Sequence, residues 1–142
     1  MPILIGISLA LVIGLFALFA RVDRDRSFYP TVLIVVASYY DLFGVMGGSS
    51  HALAMESAAM TVFLLLAYLA FRYSAWFAVG GLVAHGVFDW LHGGLIANPG
   101  VPDWWPSSCL AYDAAAGGFL ACRLLLARRL GAKAVGRRQV PC

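Results

Sequence analysis

The sequence predicts an all-α integral membrane protein, a polytopic bundle of five transmembrane helices. Of its 142 residues, 62% are hydrophobic and only 12% are charged, a composition that leaves too little polar surface for a soluble domain. The chain contains five apolar segments, each near the ~20 residues needed to cross ~30 Å of hydrocarbon. Because lipid-exposed backbone must satisfy its hydrogen bonds within its own segment, these segments are predicted to be helices.

The five apolar segments follow one another with short polar connections. They run from Pro2 to Ala20, from about Pro30 to Gly48, from Ser50 to Phe71, from Ser74 to Ala97, and from Ser107 to about Leu126. The first segment is followed, not preceded, by arginines, so we expect an uncleaved helix and not a signal peptide. This division predicts a transmembrane domain over residues 1–130 and a basic cytoplasmic tail over 131–142.

All ten basic residues fall on one side of the predicted membrane. They are Arg21, Arg24, Arg26, Arg72, Arg123, Arg128, Arg129, Lys133, Arg137 and Arg138. By the positive-inside rule, this side is the cytoplasm, with the N-terminus outside and the C-terminus inside, in the cell inner membrane. Because the basic residues flank apolar segments, the net charge of +3 reflects topology, and no nucleic-acid partner is expected.

Four acidic residues lie inside the apolar segments, where no Lys or Arg can reach them. They are Asp41, Glu56, Asp89 and Asp113. At about 1.5 Å of rise per residue, all four lie roughly 9–10 Å below the outer boundary of the membrane. An unpaired carboxylate in hydrocarbon is costly, and intramembrane ionisable residues are usually functional. The sequence therefore predicts a polar site at this level.

Three explanations for the acidic residues stay open: protonation, pairing with histidines, or binding of a metal ion. His85, Asp89 and His92 are spaced i, i+4 and i+7, so they share one helix face. Asp89 and His92 could chelate one divalent ion, and Glu56 and Asp113 could complete its ligands from neighbouring helices. Carboxylates and imidazoles are ordinary ligands for zinc, iron or manganese.

Two residues are predicted to act beside this metal site. His85 is a candidate partner of Asp89, ligand of a second site, or general base. Asp41 is the other candidate base. Cys109 lies i, i+4 from Asp113, and both packing and ligation stay open for it. The loop from Asn98 to Pro106 contains three prolines and is expected to be stiff, either as a lid or as an interfacial anchor.

A resemblance to known proteins rests on two motifs and the segment between them. The motifs are HxxxDxxH, from His85 to His92, and CxxYD, from Cys109 to Asp113, and the segment is Pro102–Pro106. They resemble a family of small, uncharacterised bacterial integral membrane proteins, which implies no particular activity. The residue types also resemble the intramembrane zinc hydrolases that include alkaline ceramidases and adiponectin receptors. Those proteins have seven helices with Ser-x-x-x-His and His-x-x-x-His pairs. Because this chain departs from both patterns, a ceramidase assignment is not supported.

Three functions are compatible with the sequence. The first is a metal-dependent membrane enzyme, a hydrolase or a related lipid-modifying enzyme, that acts on a lipid-like or isoprenoid substrate reached through the bilayer. The second is a small proton- or cation-coupled transporter or channel, in which the carboxylates form a relay. The third is a structural or assembly subunit of a membrane complex. Membrane lipid is the expected partner, and a homo-oligomer is also considered.

Overall fold

A computed structural model of the protein describes the backbone of residues 1–138 and the side chains of residues 1–130. Within that backbone the chain forms five α-helices, one short 3-10 helix and no strand. The elements are α1 (Pro2–Ala20), the 3-10 helix (Val22–Arg24), α2 (Phe28–Met46), α3 (Ser50–Arg72), α4 (Trp76–Leu95) and α5 (Trp105–Arg138). The predicted all-α fold is therefore confirmed.

Four of these helices are long and apolar enough to cross a membrane. Among the described residues they are α1, α2, α3 and the Trp105–Leu130 part of α5, as expected of a multi-pass membrane protein. α4 is not among these four; it has 20 residues, and His85, Asp89 and His92 interrupt its apolar sequence. All three of these side chains are buried, so the exposed surface of α4 is more apolar than the average over all its residues. The fifth span and the orientation stay predictions.

Prolines explain why two helices begin earlier than predicted. α2 begins at Phe28, and Pro30 occupies its first turn, where the missing N–H is not needed. α5 begins at Trp105, which places Pro106 at its second position. At its other end the α5 backbone continues to Arg138. The predicted tail over 131–142 overlaps this helix, and residues 139–142 lie outside the described part of the chain.

The described basic side chains gather at one end of the bundle. This arginine end consists of the loop 21–27, the turn 73–75 and the adjoining helix termini. Asp23 forms an ion pair with Arg123 of α5 at 2.5 Å, and Arg26 donates to a backbone carbonyl of the 73–75 turn at 3.3 Å. Because these segments meet, successive helices run in opposite directions through the bundle.

The opposite end of the bundle, the loop end, brings together the turn 47–49 and the loop 96–104. Gly48 has a φ of 64°, a left-handed conformation that glycine adopts without steric cost. Gly100 lies so close to α2 that an added Cβ would meet the Phe43 carbonyl oxygen. The loop between α4 and α5 is therefore packed against the end of α2.

The order of the helices around the bundle leaves α1 and α2 apart. α1 packs against α5, α5 against α4, α4 against α3, and α3 against α2. α2 also touches α4, but it has no extensive contact with α1 in the described part of the chain. Small residues allow the closest approaches, as where Gly6 of α1 lies against the backbone of α5 at Ser108.

The core changes from polar to apolar between the two ends of the bundle. From the middle toward the arginine end it is built from Leu33, Phe63, Ala67 and Leu82. A second apolar cluster of Tyr29, Ala70, Ala78 and Leu120 continues it to that end. The buried acidic and histidine side chains lie between the middle and the loop end, so the fold gathers them in one half of the bundle.

We predict that Gly6→Ala lowers the unfolding temperature of the detergent-purified protein. The added methyl group would meet the Ser108 carbonyl oxygen and the Tyr112 backbone nitrogen. Overpacking typically costs ~1–3 kcal/mol, more than the ~1 kcal/mol that alanine gains over glycine in a helix. Gly14→Ala on the same helix is the control, because nothing lies within 4 Å of its added Cβ. Equal losses in both variants, measured by circular dichroism, would contradict this packing.

Candidate metal centre

His85 occupies the middle of α4 and is fully buried. Its Nδ1 lies 2.6 Å from Asp113 Oδ2 on α5 and 3.5 Å from Asp89 Oδ2, one turn along α4. The Phe63 ring packs edge-on against the imidazole, with ring centroids 4.8 Å apart. One imidazole therefore faces two carboxylates in surroundings that are otherwise apolar.

Cys109 joins these three residues to form a group with the composition of a metal site. One ligand atom from each of His85, Asp89, Cys109 and Asp113 can be chosen so that all lie within 4.8 Å of one another. All four residues are buried. Two i, i+4 pairs, one on α4 and one on α5, face each other to build this four-residue group. The group could hold a metal ion, and its geometry does not identify the metal.

The distances in the four-residue group are compatible with a first-row metal ion. Zinc bonds to nitrogen and oxygen are ~2.0–2.2 Å long, and zinc–sulfur bonds are ~2.3 Å. A tetrahedral ion with such bonds holds its ligand atoms ~3.3–3.8 Å apart. Ligand atoms as far apart as 4.8 Å would have to move closer together to bind such an ion. His85 Nδ1 and Asp113 Oδ2, which are 2.6 Å apart, would have to move apart. Rotation of these side chains could supply both.

A second polar cluster lies nearer the loop end of the bundle. His92 Nε2 lies 2.7 Å from Glu56 Oε1, which joins α4 to α3. The Asn98 amide donates to the same Glu56 oxygen at 3.0 Å and to the Tyr40 carbonyl at 3.2 Å. Asn98 Oδ1 also accepts a hydrogen bond from the Gly100 backbone N–H at 3.1 Å. The loop between α4 and α5 therefore helps to fix the Glu56 carboxylate.

Tyr40 of α2 connects the two polar clusters. Its hydroxyl donates to Asp89 Oδ1 at 2.7 Å. Its ring stacks on the His92 imidazole, with centroids 4.2 Å apart and an interplanar angle of 20°. Tyr40 is only 2% exposed, so this connection lies entirely inside the bundle.

Several polar atoms in these clusters have no hydrogen-bond partner among the described residues. They are Glu56 Oε2, His85 Nε2, Asp89 Oδ2 and Asp113 Oδ1. A buried polar atom left without a partner costs ~1–3 kcal/mol, and a charged one costs more. Three carboxylates here face two imidazoles and no Lys or Arg side chain of residues 1–130. Three of the unpaired atoms belong to the four-residue group, where a bound cation would interact with them and offset the negative charge of the carboxylates.

The structure brings the predicted site residues together in two sets. Asp89 and Asp113 share the four-residue group with His85, while Glu56 and His92 form the separate pair. Asp89 and His92, three residues apart, point ~60° away from each other around the helix axis. Asp89 therefore meets α2 and α5, and His92 meets α3.

Asp41, the other predicted base, lies away from both clusters. It is partly exposed on α2 and accepts a hydrogen bond from the Ser57 hydroxyl of α3 at 2.7 Å. Cys109, for which the sequence left two roles open, lies inside the four-residue group. Its i, i+4 spacing to Asp113 was the signal, because it repeats the spacing of His85 and Asp89 on the facing helix.

An apolar groove adjoins the four-residue group on the side of α1. It encloses about 570 Å³ between α1, α2 and α5, where α1 and α2 do not pack together. Leu9, Val32 and Val35 are among its apolar lining residues. Cys109 also lines the groove and so belongs to both features. The volume falls within the ~300–1,000 Å³ typical of pockets for small organic ligands.

Comparison with protein-family models, with curated proteins and with solved structures finds no match to this chain. The resemblance of the motifs between His85 and Asp113 to small bacterial membrane proteins stays a prediction.

We predict that Tyr40→Phe destabilises the protein by about 1–3 kcal/mol, because Asp89 Oδ1 loses its hydrogen-bond donor in a buried site. Tyr68→Phe is the matched control, since Tyr68 is 57% exposed on α3. Denaturant unfolding in detergent micelles measures both changes. Similar midpoints for the two variants would show that the hydroxyl of Tyr40 contributes nothing to stability.

Proposed function

We propose that this protein is a metal-dependent membrane enzyme that acts on a lipid-like substrate, with its metal ion bound by the four-residue group. The observation that carries the proposal is the group itself: a buried imidazole, two carboxylates and a thiol within 4.8 Å of one another. Polar groups of this kind are rare inside membranes and usually mark functional sites. A bound metal would supply a Lewis acid or an activated water for hydrolysis or a related reaction.

The donor set favours zinc or iron over manganese. A thiol is a soft ligand that suits zinc and iron, while manganese prefers oxygen ligands. Catalytic metal sites keep a position open for substrate or water. Cys109 is the member of the group that lines the groove, so a substrate oxygen would reach the metal from that side.

The pair of His92 and Glu56 is the proposed acid–base pair beside the metal. His92 Nε2 shares a proton with Glu56 Oε1 at 2.7 Å, and Asn98 holds that oxygen in place. Tyr40 contacts both the pair and Asp89, and so it links the pair to the four-residue group. This role replaces that of Asp41, which lies outside both clusters.

The substrate is proposed to be lipid-like because the route to Cys109 is apolar. The groove lies between helices long enough to span a bilayer, and its side walls are largely aliphatic. Lipid chains are the abundant apolar molecules at this depth of a membrane. The proposed location is the cell inner membrane, with five spans and the arginine end in the cytoplasm.

One observation favours a second function, that of a structural subunit. Three of the polar contacts join different helices: Tyr40 of α2 to Asp89, Glu56 of α3 to His92, and Asp113 of α5 to α4. Such contacts can hold a bundle together without any metal. A relay through the membrane has less support, because the described core is apolar from its middle to the arginine end.

The orientation can be tested by labelling single cysteines in a background without Cys109, Cys122 and Cys142. We expect Asp103→Cys, in the loop between α4 and α5, to react with a membrane-impermeant maleimide in intact cells. Tyr73→Cys, at the arginine end, should react only after the cells are permeabilised. The reverse pattern would place the arginine end outside.

We predict that His85→Ala and Asp113→Ala reduce the metal bound per protein to background, while His92→Ala and Asp41→Ala retain it. Loss of a direct ligand should lower affinity by more than the ~10–100-fold that loss of an outer partner costs. Elemental analysis of protein purified without chelators gives the metal content. Binding should weaken on acidification, because the ligands must lose their protons.

The outcomes separate the two sets of residues. Loss of metal in His92→Ala with retention in His85→Ala would place the ion between Glu56 and His92, as the sequence suggested. Wild-type protein without metal, even after incubation with zinc or iron, would contradict the metal-dependent enzyme and favour the structural subunit.

A further inference from the structure

The groove beside the four-residue group opens sideways between α1 and α2. α1 packs against α5 and α2 packs against α3, so the two helices form opposite walls with a gap between them. Leu9 on one wall is 51% exposed and Val35 on the other is 46% exposed. A molecule in the surrounding medium could therefore enter the groove without passing either end of the bundle.

The medium around the groove determines its occupant. Both walls belong to helices that are long and apolar enough to cross a membrane, and in a bilayer hydrocarbon would surround the opening. An apolar slot of about 570 Å³ would lose dispersion contacts if it were empty, and water would find few partners along its side walls. A hydrocarbon chain satisfies both conditions.

The two ends of the groove differ in what they can bind. Tyr39, Trp104 and Trp105 line its loop end, and the Trp105 Nε1–H is buried without an acceptor. At the arginine end, the Ser27 backbone N–H and hydroxyl hold the pKa of Asp25 below its ordinary value, so this carboxylate is ionised. Oxygen-rich head groups accept hydrogen bonds, and the Asp25 carboxylate has no hydrogen to donate to them. Among the residues that the structure describes, no Lys or Arg lines the groove at that end. The polar end of a lipid is therefore favoured at the loop end.

We propose that this groove binds one acyl chain of a membrane phospholipid, with the ester and phosphate oxygens at the loop end, against Trp105 and beside Cys109. The rest of the acyl chain extends between α1 and α2 toward Phe28. This inference rests on the proposed function in one respect: it makes the bound lipid the substrate presented to the four-residue group. Lipid binding itself requires only the groove.

The test uses phosphatidylglycerol that carries a photoreactive diazirine midway along one acyl chain. This lipid and the 142-residue protein are incorporated together into nanodiscs. After irradiation, mass spectrometry maps the labelled residues. We expect labels to concentrate on groove residues such as Leu9, Val32 and Val35. Val35→Trp fills the groove and should reduce this labelling by roughly tenfold or more. Val62→Trp, at a 56% exposed site on α3 outside the groove, should leave it unchanged.

A second pair of probes tests the direction of the bound chain. A diazirine near the ester should label the Tyr39 and Trp105 end, and one at the chain terminus should label the region of Phe28. The reverse order would overturn the proposed direction. Labelling spread evenly over the lipid-facing helices, and insensitive to Val35→Trp, would overturn the binding site. If Val35→Trp fails to fold, Leu9→Trp fills the groove from the other wall.

Metal analysis of the same samples separates the two proposals. Groove labelling in a protein that never binds metal would leave the lipid site standing and remove the metal-dependent enzyme. A metal-bound protein with unselective labelling would do the opposite. Val35→Trp should keep the metal content of the wild type, because it fills the groove without replacing a member of the four-residue group.

Discussion

The contact between His85 and Asp113 is the interaction on which the rest of the structure depends. It joins α4 to α5 in the middle of the bundle, where both side chains are fully buried. In hydrocarbon, neither group could find water if the other moved away, so separation of these helices carries a large desolvation cost. Because α3 packs on α4 and α1 packs on α5, this contact fixes the position of both halves of the bundle.

The same requirement explains where α4 lies. It carries three of the six buried polar or charged side chains among the described residues, and α2, α3 and α5 each supply a partner for one of the three. A helix of this composition would be poorly accommodated in lipid alone. Because three helices supply partners for its polar side chains, α4 can lie at the centre of the bundle. Its remaining apolar face then forms part of the outer surface of the bundle.

The fold was largely predictable because hydropathy and charge act over whole segments. The lengths of the apolar segments predicted the helices, and the clustering of arginines predicted that the loop 21–29 and the turn at Arg72 would share one end. The hydrogen bond from Arg26 to a backbone carbonyl oxygen of that turn joins these two segments. The helix starts were less predictable, because Pro30 and Pro106 fit inside a first turn as well as before one. Local sequence does not distinguish these positions.

The residue types of the site were predictable, but the direction in which each side chain points was not. Helical rise placed Asp41 and Asp89 at similar levels, yet only Asp89 faces the core. The direction of a side chain depends on which helices are neighbours, and a single sequence does not contain that order. The choice between packing and ligation for Cys109 stayed open for the same reason: its spacing to Asp113 was visible, but the pair on α4 that faces it was not.

The contact of Gly6 with Ser108 has a consequence for how the protein is made. α1 is synthesised well before its packing partner α5, so the contact joins residues that are far apart in sequence. During insertion, α1 must wait in the bilayer until α5 arrives, while the neighbouring pair α2 and α3 can already associate. The groove is therefore completed only after α5 has been made, and a chain terminated before α5 would lack one wall of the groove and two members of the four-residue group.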